Sequence, residues 1–265
     1  MEFDSALESH SRSLLIYKEV LGENVVEVGH TLQSIGAIYD SKQQFDNSLR
    51  YYSDSLSILK GALGSEDLSV ALVLNNLAIN LSHRNQFKKA IEFSTEALRI
   101  RRIKLAKGST DIADTLYNIG NILSDWGEKD NQSMKFYVEA LSIYRSKFGD
   151  ENEDVANCLK NIGVIHIEKG EKSFKAAISN LSDALKIFRM KQGNNSLEVS
   201  EVLFYLGKIY GKKTEYQKAL GCFEECLRIR LEQLDSEDVD ISVAQKYVDG
   251  VRRKIELTKN VGLYN

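Results

Sequence analysis

Apolar residues recur along the chain at a long and nearly constant spacing. A leucine followed three positions later by leucine or isoleucine and four positions later by glycine or alanine recurs at Leu32, Leu74, Leu116, Leu159 and Leu203. The steps between these leucines are 42, 42, 43 and 44 residues. Around each leucine the apolar positions fall at i, i+3, i+4 and i+7, which predicts an amphipathic helix.

A second apolar motif lies between these helices and predicts a partner helix in each repeat. It reads Phe45-x-x-Ser48, Phe87-x-x-Ala90, Phe174-x-x-Ala177 and Tyr216-x-x-Ala219, and a further copy opens the chain at Phe3. Glycine followed by Ser, Asp or Asn in the connecting segments can end one helix and cap the next. The small residue of the first helix is Gly36, Ala78, Gly120, Gly163 or Gly207. Because glycine inside a helix costs about 1 kcal/mol relative to alanine, it indicates that the two helices of a pair pack closely there.

The repeats predict an all-α fold of about twelve helices in antiparallel succession, without a sheet. The 265 residues contain no proline, so nearly continuous helix is permitted. We expect a single array over residues 1–265 that opens with an unpaired second helix at about 3–20. The helix pairs should cover about 25–62, 67–106, 109–148, 152–191 and 196–234. A last helix at about 239–258, with an apolar stripe through Ile241, Val248 and Ile255, should cap the array.

Composition and charge narrow the function classes. With 35 Lys and Arg against 38 Asp and Glu, the net charge of −3 gives no indication of a nucleic-acid or anionic-membrane partner. The longest aliphatic run, 70–74, is too short to span a bilayer, and the acidic start of the chain is unlike a signal peptide. Three cysteines are too few for a disulfide scaffold. A cytoplasmic location is expected.

The repeat resembles the tetratricopeptide repeat, whose paired helices carry a similar large–small–large pattern. Its length, the Leu-Gly link before Glu23 or Ser65, and the Val70-Ala71 and Val155-Ala156 pairs resemble the kinesin light chain type. The Leu-Arg-Ile-Arg runs at 98–101 and 227–230 are also similar to that type. The resemblance implies a right-handed superhelical solenoid that binds a peptide or protein partner in its concave groove.

The resemblance also implies which residues face that groove: those three and two positions before the small residue, and one after it. These positions include Asn75, Asn76, Tyr117, Asn118, Asn121, Lys160, Asn161, Phe204, Tyr205 and Lys208. A carboxamide both donates and accepts hydrogen bonds, so an asparagine row can pair with a ligand backbone. In the alternative interpretation, the asparagines serve contacts between repeats. Tyr117, Phe204 and Tyr205 are candidate aromatic anchors.

The charge of the ligand stays open at this level. Lys160, Lys208 and Lys212 could meet an acidic group, but Glu168 and Glu201 should lie nearby, as should Asp114 and Asp125. The groove is therefore not expected to be uniformly basic, unlike those typical of kinesin light chains.

No catalytic, cofactor or metal site is predicted. The four histidines, at 10, 30, 83 and 166, fall in different repeats without metal-like pairing. Cys222 and Cys226 are one helical turn apart, but Cys226 occupies a position that is alanine in other repeats, which favours packing. The sequence predicts a protein-interaction scaffold, with a kinesin light chain-like cargo or adaptor role as one form. The alternatives are a structural module that self-associates through its exposed N-terminal helix, and a regulatory region of a larger protein.

Overall fold

The computed structural model describes residues 2–127 and 131–262, and within these ranges the secondary structure is helical. Twelve α-helices follow one another: α1 Glu2–Leu21, α2 Val26–Ser41, α3 Phe45–Leu63, α4 Leu68–His83, α5 Phe87–Lys104, α6 Thr110–Asp125, α7 Asn131–Phe148, α8 Glu153–Glu168, α9 Phe174–Gln192, α10 Leu197–Lys212, α11 Tyr216–Gln233 and α12 Val239–Gly262. A single 3₁₀ turn, Glu171–Ser173, precedes α9. The predicted all-α class is confirmed.

The helices pack as antiparallel pairs in the order that the repeat predicts. The closest packing joins α2 to α3, α4 to α5, α8 to α9 and α10 to α11, and each pair also contacts the next helix in the chain. We call α2, α4, α6, α8 and α10 the first helices of their repeats. Contacts divide the chain into two compact units, Met1–Ile143 and Tyr144–Asn265, called the N-terminal and C-terminal units below.

The helix ends follow the local chemistry of the connecting segments. Asp67 accepts a hydrogen bond from the Ser69 amide at 2.7 Å, and Asn152 accepts one from the Asp154 amide at 2.7 Å. These side chains satisfy amide groups that have no partner inside the helix. Gly64, which ends α3, has a φ of +86°, a conformation that residues with a side chain rarely adopt.

Each unit has an apolar core where its first and second helices meet. In the N-terminal unit, Leu74 of α4 and Ile100 of α5 are nearly inaccessible to solvent. In the C-terminal unit, Phe223 of α11 packs with Val248 and Ile255 of α12, and all three are buried. Half-buried polar and aromatic residues on the first helices remain outside these cores, and these are the candidates for binding a partner.

Candidate functional site

All ten predicted groove residues lie on first helices. The N-terminal unit holds five, on α4 and α6: Asn75, Asn76, Tyr117, Asn118 and Asn121. The C-terminal unit holds the other five, on α8 and α10: Lys160, Asn161, Phe204, Tyr205 and Lys208. Asn75 is buried, with 6% of its surface exposed, whereas the other nine are half-buried. Nine of them thus keep surface that a ligand could contact.

In the N-terminal unit, an asparagine contact joins neighbouring repeats. The Asn118 side-chain amide donates to the Asn75 side-chain oxygen at 3.3 Å, linking α6 to α4. Asn76 makes no side-chain hydrogen bond in the described part of the chain, so its carboxamide is open to a ligand. Asn75 therefore serves a contact between repeats, while Asn118 keeps a second N–H and its oxygen for other partners.

Asn121 is held by the second helix of its own repeat. The Tyr137 hydroxyl on α7 donates to the Asn121 side-chain oxygen at 2.7 Å. The Tyr137 ring is buried and lies tilted against Tyr117, with 5.6 Å between the ring centroids. Buried tyrosine hydroxyls usually find such a partner. This hydroxyl fixes the orientation of the Asn121 carboxamide, a contact that the sequence reasoning missed.

In the C-terminal unit, Lys160 is neutralised by a carboxylate of the next first helix. Its Nζ lies 2.6 Å from Glu201 Oε2, and only 13% of the Lys160 side chain is exposed. An acidic ligand that met Lys160 would therefore have to compete with this ion pair.

Phe204 and Tyr205 belong to an aromatic cluster that joins α10 to the two following helices. The centroid of the Phe204 ring lies 5.6 Å from that of Phe223 and 4.9 Å from that of Tyr247, in edge-to-face contacts. Tyr205 meets Phe204 edge-on at 6.3 Å. Such contacts restrict the rings, so a ligand would find them already oriented.

Lys160, Phe204 and Tyr205 line a single cleft of about 460 Å³. Its other charged lining residues are Glu198, Glu201, Arg230, Asp238 and Asp240. Sequence reasoning noted Glu201 only as a nearby charge and missed the rest, since several lie outside the first helices. One of these lining residues, Arg230, could have been identified from the sequence, because it ends the second Leu-Arg-Ile-Arg run.

These runs place a buried arginine at equivalent points of two repeats. The Arg101 Nη1 donates to the Asp111 carbonyl at 2.7 Å and to the Thr115 hydroxyl at 2.5 Å. The Arg230 Nη1 donates to the Asp240 carbonyl at 2.9 Å. In both cases the end of a second helix is tied to the first turn of the next helix, ten residues on in the sequence. The contact positions the starts of α6 and α12 beside the groove residues.

The described residues give little support for chemistry of another kind. No group of three His, Cys, Asp or Glu side chains in ranges 2–127 and 131–262 is arranged to hold a metal ion. Burial raises the pKa of the Cys226 thiol to about 11, which disfavours a reactive thiolate. None of the helices as described has the length and apolar character needed to cross a membrane.

The repeats match models of a known protein family. Models described as tetratricopeptide repeat match residues 31–103, 113–147 and 200–231, together slightly more than half of the chain. No curated protein sequence matches the chain. Tetratricopeptide repeats form non-catalytic scaffolds, and they mediate interactions between proteins.

Solved structures of the same fold cover most of the chain. BtubC (BKLC) from P. vanneervenii has a TM-score of 0.71 at 20% identity, over 90% of this chain and 95% of that one. A protein assigned as a kinesin light chain from Podosopora anserina, with nearly identical TPR-like repeats, has a TM-score of 0.63 at 13% identity. That match covers 78% of this chain and 97% of the other. From its sequence matches, the chain belongs to the tetratricopeptide repeat family, and its fold is similar to those of the two solved repeat proteins.

Proposed function

We propose that this scaffold binds extended peptide segments of protein partners along the groove residues of the first helices within each unit, on α4 and α6 and on α8 and α10. The proposal depends mainly on the burial of Asn76 and Asn118 and on the hydrogen-bonding groups that their side chains keep. Both are half-buried at the same position of successive repeats. The Asn76 carboxamide makes no side-chain hydrogen bond with a described residue, and Asn118, whose amide donates to Asn75, keeps a second N–H and its oxygen. A carboxamide can donate to a peptide carbonyl and accept from a peptide N–H, so a row of them suits a backbone.

Aromatic surface on first helices of each unit supports the choice of a peptide over a small polar ligand. Tyr117, Phe204 and Tyr205 are half-buried and keep part of each ring exposed. Interfaces between proteins are enriched in such rings because they bury a large apolar area at little cost in conformational entropy. A cargo-adaptor role like that of kinesin light chains is the narrower form of the proposal.

A second candidate function, self-association through α1, has its own support. Phe3, Leu15, Ile16 and Val20 of this helix are 49%, 62%, 49% and 73% exposed. A cluster of exposed apolar residues on one element is typical of an interaction surface. Sedimentation at increasing protein concentration distinguishes this candidate, since a groove-binding monomer keeps a constant mass.

The groove proposal is tested in two stages. Partners are first captured with the immobilised chain, and the bound segment is mapped to a synthetic peptide. That peptide is then titrated against wild type and the double variant Asn76→Ala/Asn118→Ala. Loss of hydrogen bonds worth about 0.5–1.5 kcal/mol each should weaken binding about fivefold to more than a hundredfold.

Two control variants separate ligand contacts from structural ones. Asn47→Ala changes an exposed asparagine of α3, a second helix, and should leave the affinity unchanged. Asn75→Ala removes the partner of Asn118 without changing an exposed groove amide. If Asn75→Ala weakens binding as much as the double variant does, the asparagines act through the contact between repeats. Equal affinity of wild type and the double variant would remove the groove from consideration.

A further inference from the structure

One stripe of α10 in the C-terminal unit changes charge along its length. Glu201 is followed by Tyr205 one turn on, by Lys208 two turns on and by Lys212 three turns on. Residues at this spacing lie on the same face of a helix. An acidic end and a basic end therefore flank the aromatic pair Phe204 and Tyr205 on a single groove surface.

The acidic end is the cleft described above, which carries more carboxylates than cations. Glu198, Glu201, Asp238 and Asp240 line it together with Lys160 and Arg230, which leaves an excess of two negative charges. Both cations already have acidic partners: Lys160 pairs with Glu201 at 2.6 Å, and an Arg230 nitrogen lies 3.6 Å from an Asp240 carboxylate oxygen. The exposed charge at this end is therefore negative.

The acidic surroundings affect the pKa of the Tyr205 hydroxyl. Its pKa is raised above the usual value first by burial, and then by the negative charges of Glu201 and Glu168. Its hydroxyl therefore stays protonated beside a surplus of carboxylates. A cationic side chain entering the cleft would meet these carboxylates, which form charge-assisted hydrogen bonds with lysine or arginine.

The basic end is a separate pocket of about 200 Å³ between α10 and α12. Lys208, Lys212 and Lys254 line it, together with Phe223, Tyr247 and Val251, and its lining holds no carboxylate. None of the three lysines makes an ion pair with any residue in the described ranges. Three cations beside an apolar floor form a site that favours an anionic group.

Aromatic rings hold these lysines in place without neutralising them. The Lys208 Nζ lies 5.7 Å from the centroid of Tyr205, the Lys212 Nζ lies 5.8 Å from that of Phe174 on α9, and the Lys254 Nζ lies 5.6 Å from that of Tyr216. Contacts of this kind are weak at exposed sites and leave the ammonium hydrogens available. The positive charge of the pocket is thus oriented but not balanced by the protein.

We propose that the partner segment lies along α10 with a basic side chain in the acidic cleft and an acidic side chain in the lysine pocket. The inference rests on the proposed groove function and adds the chemical class of the ligand. Glu201 and Lys212 are eleven residues apart, which is about 16 Å along a helix, and Glu201 and Lys208 are about 10 Å apart. An extended peptide advances about 3.3 Å per residue, so the two ligand charges should be three to five residues apart.

The probe is a display library of random twelve-residue peptides, panned on wild type and on two charge-changed variants. Lys212→Glu/Lys254→Glu makes the basic pocket acidic, and Glu198→Lys/Glu201→Gln makes the acidic cleft basic. Lys107→Glu/Lys147→Glu is the control, because it makes the same charge change at exposed positions outside α8, α10 and α12. Circular dichroism establishes that all four proteins are equally helical.

Wild type should enrich peptides with one basic and one acidic residue three to five positions apart. Such a peptide should bind Lys212→Glu/Lys254→Glu at least about tenfold more weakly, and the control within about twofold of wild type, by fluorescence anisotropy. The lysine-pocket variant should instead enrich peptides with two basic residues. Peptides of a single charge sign from wild type, the same peptides from every variant, or no enrichment would each overturn the inference. A natural partner could bind Asn76→Ala/Asn118→Ala more weakly than wild type but bind both charge variants as tightly as wild type. This result would support the groove proposal and contradict the inferred ligand class.

Discussion

The ring of Phe223 lies directly against the backbone of Gly207, so that a Cβ added to this glycine would be 2.7 Å from Phe223 Cε1. The same relationship holds between Gly120 and Tyr137, where the distance would be 2.6 Å. In the second repeat the residues at these two positions are Ala78 and Ser94, both fully buried. A large residue on the second helix thus accompanies glycine on the first, and a small one accompanies alanine.

This relationship predicts opposite effects for two helical Gly→Ala changes in the same helix pair. Gly207→Ala should destabilise, since overpacking costs about 1–3 kcal/mol and outweighs the gain in helix propensity of about 1 kcal/mol. Gly221→Ala on α11 should stabilise by about 0.5–1 kcal/mol, because no atom lies within 4 Å of the added methyl group. Urea unfolding of both variants measures the difference. The packing argument is wrong if Gly207→Ala is the more stable protein.

The pairing of helices could be predicted because five copies of one pattern reinforce each other. Leu203 and Gly207 mark a first helix only weakly by themselves, but leucine followed by glycine or alanine recurs here every 42–44 positions. The glycine indicates close approach, since its cost needs a packing reason. The residue that packs against Gly207 is Phe223, which lies sixteen positions later on another helix. The sequence pattern alone does not identify this contact, because it depends on how the two helices pack.

The sequence predicted which helices carry the candidate groove residues, but not which charged side chains lie next to them. Helical spacing places Lys160 and Tyr205 on first helices, and the structure has them there. The partner of Lys160 is Glu201, forty-one residues away, and their contact depends on how neighbouring helices align. The surroundings of Lys208 likewise depend on α12, whose sequence departs from the repeat pattern. Sequence periodicity carries no information on either contact.

A buried residue of α12 should be essential to the C-terminal unit. Val248 is 1% exposed and packs in the cluster that contains Phe223 and Ile255. Val248→Asp would bury a carboxylate without a partner, so we expect a loss of several kcal/mol and a lower melting temperature. Val239→Asp is the matched control, because Val239 is 72% exposed in the first turn of the same helix. Equal melting temperatures would mean that α12 does not cover the apolar face of α11.

The thiols should be unreactive in the folded protein. Burial raises the pKa of the Cys158 thiol to about 12, and burial followed by the negative charge of Glu225 raises that of Cys222 to about 11. Both shifts favour the neutral thiol, so at pH 7.5 only about one Cys222 molecule in a few thousand carries the nucleophilic thiolate. Iodoacetamide followed by mass spectrometry should show slow labelling of the native protein and rapid labelling in guanidinium chloride. Fast native labelling of Cys222 would contradict its burial.

The last prediction concerns the buried arginine of α5. Its slot in the repeat is filled by buried apolar residues elsewhere, Leu59 in α3 and Phe188 in α9. Arg101→Ala removes two charge-assisted hydrogen bonds and leaves a void, which should cost about 1.5–3 kcal/mol or more. Arg101→Leu should cost less, because leucine refills the slot and the Asp111 carbonyl still accepts a hydrogen bond from Thr115 at 2.8 Å. The Thr115 hydroxyl then loses the donor Arg101 but keeps its own hydrogen bond to the Asp111 carbonyl.

A neighbouring surface arginine provides the comparison for this prediction. Arg99 on the same helix pairs with Glu66 and Glu96, both at 2.9 Å, but these side chains are 42–53% exposed. Exposed ion pairs contribute about 0–1 kcal/mol, so Arg99→Ala should unfold at nearly the same urea concentration as wild type. We therefore expect stability to fall in the order wild type and Arg99→Ala, then Arg101→Leu, then Arg101→Ala. If Arg101→Ala is as stable as Arg99→Ala, the tie between α5 and the start of α6 contributes nothing, and the apolar packing of α6 alone fixes its position.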